Sequence, residues 1–338
     1  MAPRRGPVTL ALPPSQAARN PRGILLLTIG IAVFSGQDVI LKLLSGGYPL
    51  SEAMTLRGLT TAPLLLILAH RDGGLRTLAT PGLRRMLARG VIMFLAYTCY
   101  YLGLAGLPMA SAVALYFSAP LFITLLSATV LGEGAGWRRW VGVLTGFVGV
   151  LIMVRPGTSL FDWAALLPVV SGMAYAVSMV ATRRLGATET APALAFWGNA
   201  VFLVGAILMA AVFGSGRFAT TAVPSLAFLT RAWVWPTPAD AGLMVACGVI
   251  AAAGLTLLTQ AYRIGEAHAV APFEYTAMIW GVLNGWVFWR DWPDTTGWVG
   301  IAVIVAAGLY VLWREAMRAT PAAPPQAPPP RALPPLPD

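Results

Sequence analysis

Charged side chains are scarce in the long apolar stretches of this chain, so the few that occur there are the first candidates for chemistry. Asp38 and Lys42 stand four residues apart, Glu52 lies five before Arg57, and Glu274 sits alone in APFEYT. An unpaired charge in hydrocarbon costs several kcal/mol, so each needs a partner or a polar space to face. Asp38 and Lys42 share one helical face in the favourable acid-before-base order and can neutralise each other. Arg57 lies about 11 Å into its helix at 1.5 Å per residue, with Glu52 above it. There its planar fork can hold a carboxylate or another anionic group of a bound small molecule. The alternative is an ion-pair cluster that ties two helices together, with Lys42 reaching to the interface. Glu274 has no basic residue at helical spacing, and burial of that kind favours the neutral acid. That state suits a proton-coupling group or a hydrogen-bond donor to a ligand, the alternative being an acid satisfied by a neighbouring helix.

Around these charges lie aromatic residues, namely Tyr97, Tyr100, Tyr101 and Tyr116 in the first half of the chain and Phe273, Tyr275 and Trp280 in the second. They can wall a cavity for an amphipathic or ring-bearing molecule, or simply pack. Gln37, Tyr175, Asn199, Gln260 and Asn284 are further polar candidates, each read first as an interhelical hydrogen bond and second as a contact to the bound molecule. Pro120 and Pro272 should bend their helices and free a backbone carbonyl, which is tolerated at membrane depth only beside protein or a cavity. No catalytic constellation accompanies them. His70 and His268 are the only histidines, and neither HExxH nor GxSxG occurs, so no catalytic residue, metal site or cofactor is expected and the chain is read as a non-enzyme. Cys99 and Cys247 fall in apolar stretches and are read as packing residues. There is no nucleotide-binding loop.

The elements that must position these residues follow from composition. With 57% hydrophobic and 11% charged residues among 338, the apolar surplus cannot be hidden in one soluble domain and must face lipid. A crossing needs roughly 20 mostly apolar residues. Ten such segments are read, at about 23–44, 49–69, 87–106, 110–131, 138–155, 161–182, 190–213, 239–262, 268–289 and 296–314. Residues 1–22 and the Pro-rich stretch 317–338 are expected to be disordered tails. Residues 214–238 are read as a loop whose WVWPTP suits a membrane-interface anchor.

A net charge of +10 would fit nucleic-acid binding in a soluble protein, but the basic residues gather at the ends of the apolar segments instead. On this reading 17 of the 23 lie on one side, including Arg71, Arg76, Arg84, Arg85 and Arg89. Only Arg155, Arg217, Arg231 and Arg290 lie on the other. By the positive-inside rule both termini are cytoplasmic, the number of crossings is even, and the chain is expected in a bacterial inner membrane.

A repeat is visible at an offset of 157 residues. Ala110, Ala112, Val113 and Ala114 fall on Ala267, Ala269, Val270 and Ala271, and, after one inserted residue, Trp140, Val141 and Gly142 fall on Trp298, Val299 and Gly300. Two halves follow, 23–156 and 157–316, of five helices each. An odd number per half inverts the second in the membrane, the design of many secondary transporters. With this repeat, the sequence resembles the EamA-type members of the drug/metabolite transporter superfamily. The likeness rests on Lys42, YPLSEAMTLRG with Arg57, ASAVALYFSAPLF with Pro120, LGE at 131–133, GVLTGFVGVLIMVRPG, Ala261 with Tyr262, AHAVAPFEYT, and Gly300 with Gly308. Arg290 with Asp291 departs from the Gly-Glu pair the family often repeats there.

The resemblance implies alternating access around a central cavity, with export of an amino acid or related amphipathic solute. Its alternative is import of a vitamin, nucleoside or S-adenosylmethionine-like solute. Expected partners are the solute, membrane lipids and protons, with no nucleic acid, and the chain is expected to act as a monomer or weak dimer. An intramembrane enzyme is the rival from another class. Reporter fusions at the two chain ends are expected to report the same compartment; opposite compartments would exclude an even number of crossings.

Overall fold

In the computed structural model, residues 16–71, 73–130, 137–158, 161–185, 190–220, 222–265 and 267–319 are described. Among them every regular element is helical. In chain order these are α1 (Gln16–Leu44), α2 (Leu50–Arg71), α3 (Leu83–Gly106), α4 (Met109–Tyr116), α5 (Ala119–Val130), α6 (Trp137–Val154) and α7 (Leu166–Leu185). Then follow α8 (Ala191–Phe213), α9 (Pro224–Thr230), α10 (Pro238–Ile264), α11 (Ala267–Val270), α12 (Thr276–Asn284) and α13 (Thr295–Ala319). Eight helical segments are long and apolar enough to cross a membrane, and Trp140–Val154 in α6 is a shorter apolar helix. Membrane crossing is helical because hydrocarbon offers no partner to a free N–H or C=O, and a helix satisfies nearly all of its own.

Several expected boundaries move. The first helix starts at Gln16, inside the stretch read as tail, and α13 runs to Ala319; residues 1–15, the tail beyond 319 and Glu133 lie outside the described residues. The segment 110–131 is two helices, α4 and α5, which meet at Phe117 and Ser118. Pro120 has no N–H to give the Tyr116 carbonyl, so the ladder breaks just before it. Ser118 Oγ donates to the Leu115 carbonyl at 2.7 Å and replaces part of what is lost. The segment 268–289 is more divided still. After α11 comes a 3₁₀ turn over Ala271–Tyr275 around Pro272, then α12, then a π turn over Gly285–Trp289. The connection 214–238 carries α9, whose Phe228 is fully buried.

The principal helix pairs are α1 with α10, α3 with α7, α2 with α8, α6 with α13, α4 with α12, α10 with α2 and α8 with α3. Small residues set these approaches. Gly142 and Gly149 of α6 lie against Tyr310, Val303 and Ile304 of α13 and Gly146 against Leu121 of α5, so the GxxxG of Gly142 and Gly146 packs within one chain. Gly172 of α7 leaves room for the Tyr116 carbonyl freed at the α4–α5 break, 2.9 Å from where a Cβ would stand.

Burial is deepest at one end of the bundle, the end that carries the α1–α2 turn and the 214–238 connection. Leu41, Leu50, Met54, Leu104 and Met244 there are at most 1% exposed. A separate small cluster joins Leu27, Ile31, Ala261 and Val270, with Trp280 packed on it.

The crossing of α2 and α10 is the closest approach near the charged residues. Thr61 Oγ1 donates to the carbonyls of Arg57 (2.8 Å) and Gly248 (3.1 Å). A Cβ on Gly248 would stand 2.7 Å from the Arg57 carbonyl oxygen and 2.5 Å from Thr60 Cβ, where backbone must yield. Gly248→Ala is therefore expected to lower the thermal midpoint in detergent, at an overpacking cost of about 1–3 kcal/mol. Gly242→Ala, whose Cβ meets open space, should leave it unchanged.

Candidate functional site

A cavity of about 510 Å³ lies between α1, α2, α3, α7, α8 and α10, beside the two broken segments. Of the residues read as candidates from the sequence, Asp38, Arg57, Tyr97, Tyr101, Tyr116 and Glu274 line it. They come from four helices and the 3₁₀ turn, separated by up to 236 positions in the chain (38 to 274).

Arg57 projects from the second turn of α2 and is 7% exposed. Its Nε donates to Gln37 Oε1 at 3.1 Å, and its guanidinium carbon stands 4.5 Å from the Phe202 ring centre and 5.5 Å from that of Tyr97. Among the described residues neither terminal nitrogen of the fork finds a hydrogen-bond partner. Gln37 is the hub of this floor, since its Nε2 also donates to the Tyr101 hydroxyl at 2.8 Å. The aromatic faces attract the cation through their ring quadrupoles without neutralising it.

The expected ion pairs do not form. Glu52 Oε2 accepts instead from the Val234 N–H at 3.3 Å, and Asp38 accepts from the Tyr100 hydroxyl at 2.9 Å. Lys42 turns away from Asp38. Its Nζ donates to the carbonyls of Leu104 (2.8 Å) and Leu107 (2.5 Å), 5.3 Å from the Trp289 ring centre. The end of a buried helix has carbonyls without intrahelical partners, and a nearby lysine that meets two of them is better placed than one facing a carboxylate already bonded to a tyrosine.

From Asp38 a ladder of rings crosses the cavity. Tyr100 and Tyr116 have centres 5.1 Å apart, and Tyr116 and Tyr175 5.9 Å. Beyond them Glu274 Oε1 accepts a hydrogen bond from the Tyr262 hydroxyl. Three aromatics expected in the wall lie elsewhere. Phe273 points outward at 39% exposure, and Trp280 packs on the Leu27 cluster. Tyr275 is buried against Phe117 with ring centres 5.0 Å apart. Pro120 and Pro272 do not line the cavity themselves but sit at the two interruptions beside it. The two breaks meet where Phe117 packs on Tyr275.

The lining takes in residues read first for other roles. Gln37, Tyr175 and Asn199, read first as helix-to-helix bonds, line the cavity as well as making or flanking such bonds; Asn199 Nδ2 donates to the Gly58 carbonyl at 3.1 Å. Arg89, grouped by the charge count with the basic residues of the 71–83 side, is six residues inside α3 and lines the cavity about 12 Å from the level of Tyr97. Its signal is its place inside the apolar segment 87–106.

The lining continues to Arg89, Leu194 and Thr259, toward the face that carries the 71–83 connection, while the other end is closed by the buried residues named above. A multi-pass helical bundle with a largely apolar central cavity that holds a few charged and polar side chains, and interrupted helices beside it, has the construction of a membrane transporter. The profile of the EamA-like transporter family matches residues 21–155. The riboflavin transporter of Rhizobium johnstonii is 31% identical over 245 residues, 72% of this chain and 75% of that protein. The pseudopaline exporter CntI of Pseudomonas aeruginosa is 29% identical over 286 residues, 84% of this chain and 94% of that one. The S-adenosylmethionine uptake transporter of Rickettsia prowazekii is 24% identical over 227 residues, 67% and 71% of the two chains. A solved crystal structure aligns with 90% of this chain and 100% of its own at a TM-score of 0.59 and 20% identity, a likeness of fold. The chain belongs to the EamA-like transporter family of the drug/metabolite transporter superfamily.

Gln37 bonds two buried groups at once, so Gln37→Leu is expected to cost about 1–3 kcal/mol through the unsatisfied groups it leaves. A melt at the wild-type midpoint would show that Arg57 and Tyr101 find other partners.

Proposed function

We propose that this chain is a secondary transporter that carries a small, amphipathic, ring-bearing metabolite with an anionic group by alternating access. The observation that carries this is the unpaired fork of Arg57 at the blind end of a tyrosine-walled cavity. An anion there would give the guanidinium the two charge-assisted bonds it lacks, while the tyrosine faces take a flat ring. Asp38 and Glu274 offer acceptors for a cationic or hydroxyl group on the same solute.

The proposed frame has ten crossings in two inverted halves, with both termini cytoplasmic. Support comes from the helix pairs. Exchange of the first five crossings with the last five turns α1 against α10 into α7 against α3, and α2 against α10 into α8 against α3. It leaves α2 against α8, α4 against α12 and α6 against α13 as they are. The cavity as described would then load from the cytoplasm, which fits export. Import is the second reading, favoured by the relative named for S-adenosylmethionine uptake; that solute and the riboflavin of another relative's name both carry fused rings.

The test is a thermal-shift screen of the purified protein against riboflavin, S-adenosylmethionine, amino acids, nucleosides and polyamines, followed by flux of each hit in proteoliposomes. Arg57→Ala is expected to insert normally and weaken binding by about tenfold or more, the loss of a charge-assisted hydrogen bond. Binding at wild-type affinity would remove Arg57 from the site. Glu274→Gln is expected to make flux indifferent to an imposed pH gradient; if the gradient still drives flux in that variant, Glu274 is not the coupling group.

A further inference from the structure

Two connections reach from one half of the chain onto the other, on opposite faces of the bundle. The first is 214–238. Its Arg231 donates through Nη1 to the carbonyls of Ser45 (2.7 Å) and Tyr48 (3.0 Å) in the α1–α2 turn. The Val234 N–H donates to Glu52, and Tyr48 donates its hydroxyl to Asp240 at 2.7 Å while accepting from the Thr237 N–H at 3.2 Å. Met54, two residues from Glu52, and Met244 are fully buried in the same core cluster as Phe228 of this connection, and Lys42 bonds the end of α3.

The second is 71–83, on the opposite face. Its short Leu75–Leu78 turn reaches α8, where Thr190 Oγ1 donates to the Thr77 carbonyl at 2.7 Å and Trp197 Nε1 to the Leu78 carbonyl at 3.0 Å. In the five-plus-five frame the two are counterparts. Each joins the second and third crossings of its own half and lies on the entry to the second crossing of the other half. They differ in what they cover. Beneath 214–238 the bundle is solid, whereas beside 71–83 the cavity reaches Arg89 and Leu194. The first is fastened through an arginine, a buried glutamate and a tyrosine–aspartate pair, the second, among the described residues, through two neutral bonds.

We propose that these connections are reciprocal gate straps, and that Arg231, with Lys42 as a bolt beneath it, holds the cavity shut on the 214–238 face. The inference rests on the transporter reading and adds which contacts must break in each cycle. The closed face is built to release. Glu52 is fully buried, yet its Oε1 has no hydrogen-bond partner. Half-satisfied buried polar groups lower the stability of the arrangement that contains them, so this closure is shallow enough to open. None of Arg231, Lys42 and Glu52 lines the cavity, so their loss should alter the gate before it alters solute contacts.

The experiment places one thiol beneath the strap, M54C, in a chain whose two native cysteines are replaced (C99S, C247A). A membrane-impermeant maleimide is applied to right-side-out and to inverted vesicles. With the strap intact, labelling from the 214–238 face is expected to be slow. With R231A or K42M it should rise by about tenfold, from that face alone, as the loss of a charge-assisted bond would allow. An unchanged rate in both variants overturns the proposal. Equal labelling from both faces would report unfolding of a variant; the test then falls on the pair S45C/R231C joined by a cleavable bismaleimide. Tying this pair is expected to stop flux, and cleavage to restore it; flux at the untied rate overturns the proposal. Labelling needs no solute, so a strap that opens as expected in a protein that moves nothing would count against the transporter reading and not against the gate.

Discussion

Arg57 is a positive charge placed inside an apolar bundle with one neutral hydrogen bond and two aromatic faces for company. Contacts with ring faces are worth about 0.5–2 kcal/mol, well short of what taking a charge out of water costs. A guanidinium in that position is tolerable only where water or a ligand can reach it. The helices around it therefore cannot close into a solid core as they do a few turns away at Leu41, Leu50 and Met244. The cavity is thus tied to the charge, and the tyrosines that surround it supply a wall that is apolar on its faces and polar at its rims.

The same demand for satisfied polar groups explains where the helices are interrupted. Each break frees backbone groups that lipid cannot bond, and both breaks face inward, one against Gly172 of α7 and the other around Glu274. They meet where Phe117 packs on Tyr275, which places both helix interruptions in the interior of the bundle. Broken helices allow side chains to be aimed into a cavity at angles that a straight helix would not reach, as with Glu274 beside Tyr262.

Polar closure of the two faces is unequal. On the 214–238 face the turns are joined by bonds from arginine, tyrosine and a backbone amide to groups in the other half, and Arg155 pairs with Asp294 at 2.6 Å between α6 and α13. Exposed pairs of this last kind contribute little stability in water, whereas the hydrogen bonds at Glu52 and Lys42 lie farther from solvent, with the second oxygen of Glu52 left without a partner. The cavity is therefore closed by packed side chains on the 214–238 face and extends toward the 71–83 face.

Much of this was legible in the chain alone. Apolar length and composition determine the membrane class, because nothing else can accommodate so much hydrophobic surface. Prolines 120 and 272 mark the breaks, and spacing singles out Asp38, Arg57 and Glu274 as charges that need an interior polar space. What spacing cannot decide is which of several nearby groups a long side chain meets. Asp38 and Lys42 do share a helix face, yet each bonds to α3, more than 60 residues away, and Gln37 becomes the hub of the site only because Arg57 and Tyr101 arrive on either side of it. Arg89 lies near the start of an apolar segment in the sequence, and only the packing of α3 against its neighbours turns it to the cavity. The reason is physical: local sequence governs backbone geometry and the face on which a residue stands, whereas the pairing of buried polar groups is a competition among partners brought together only when the helices pack.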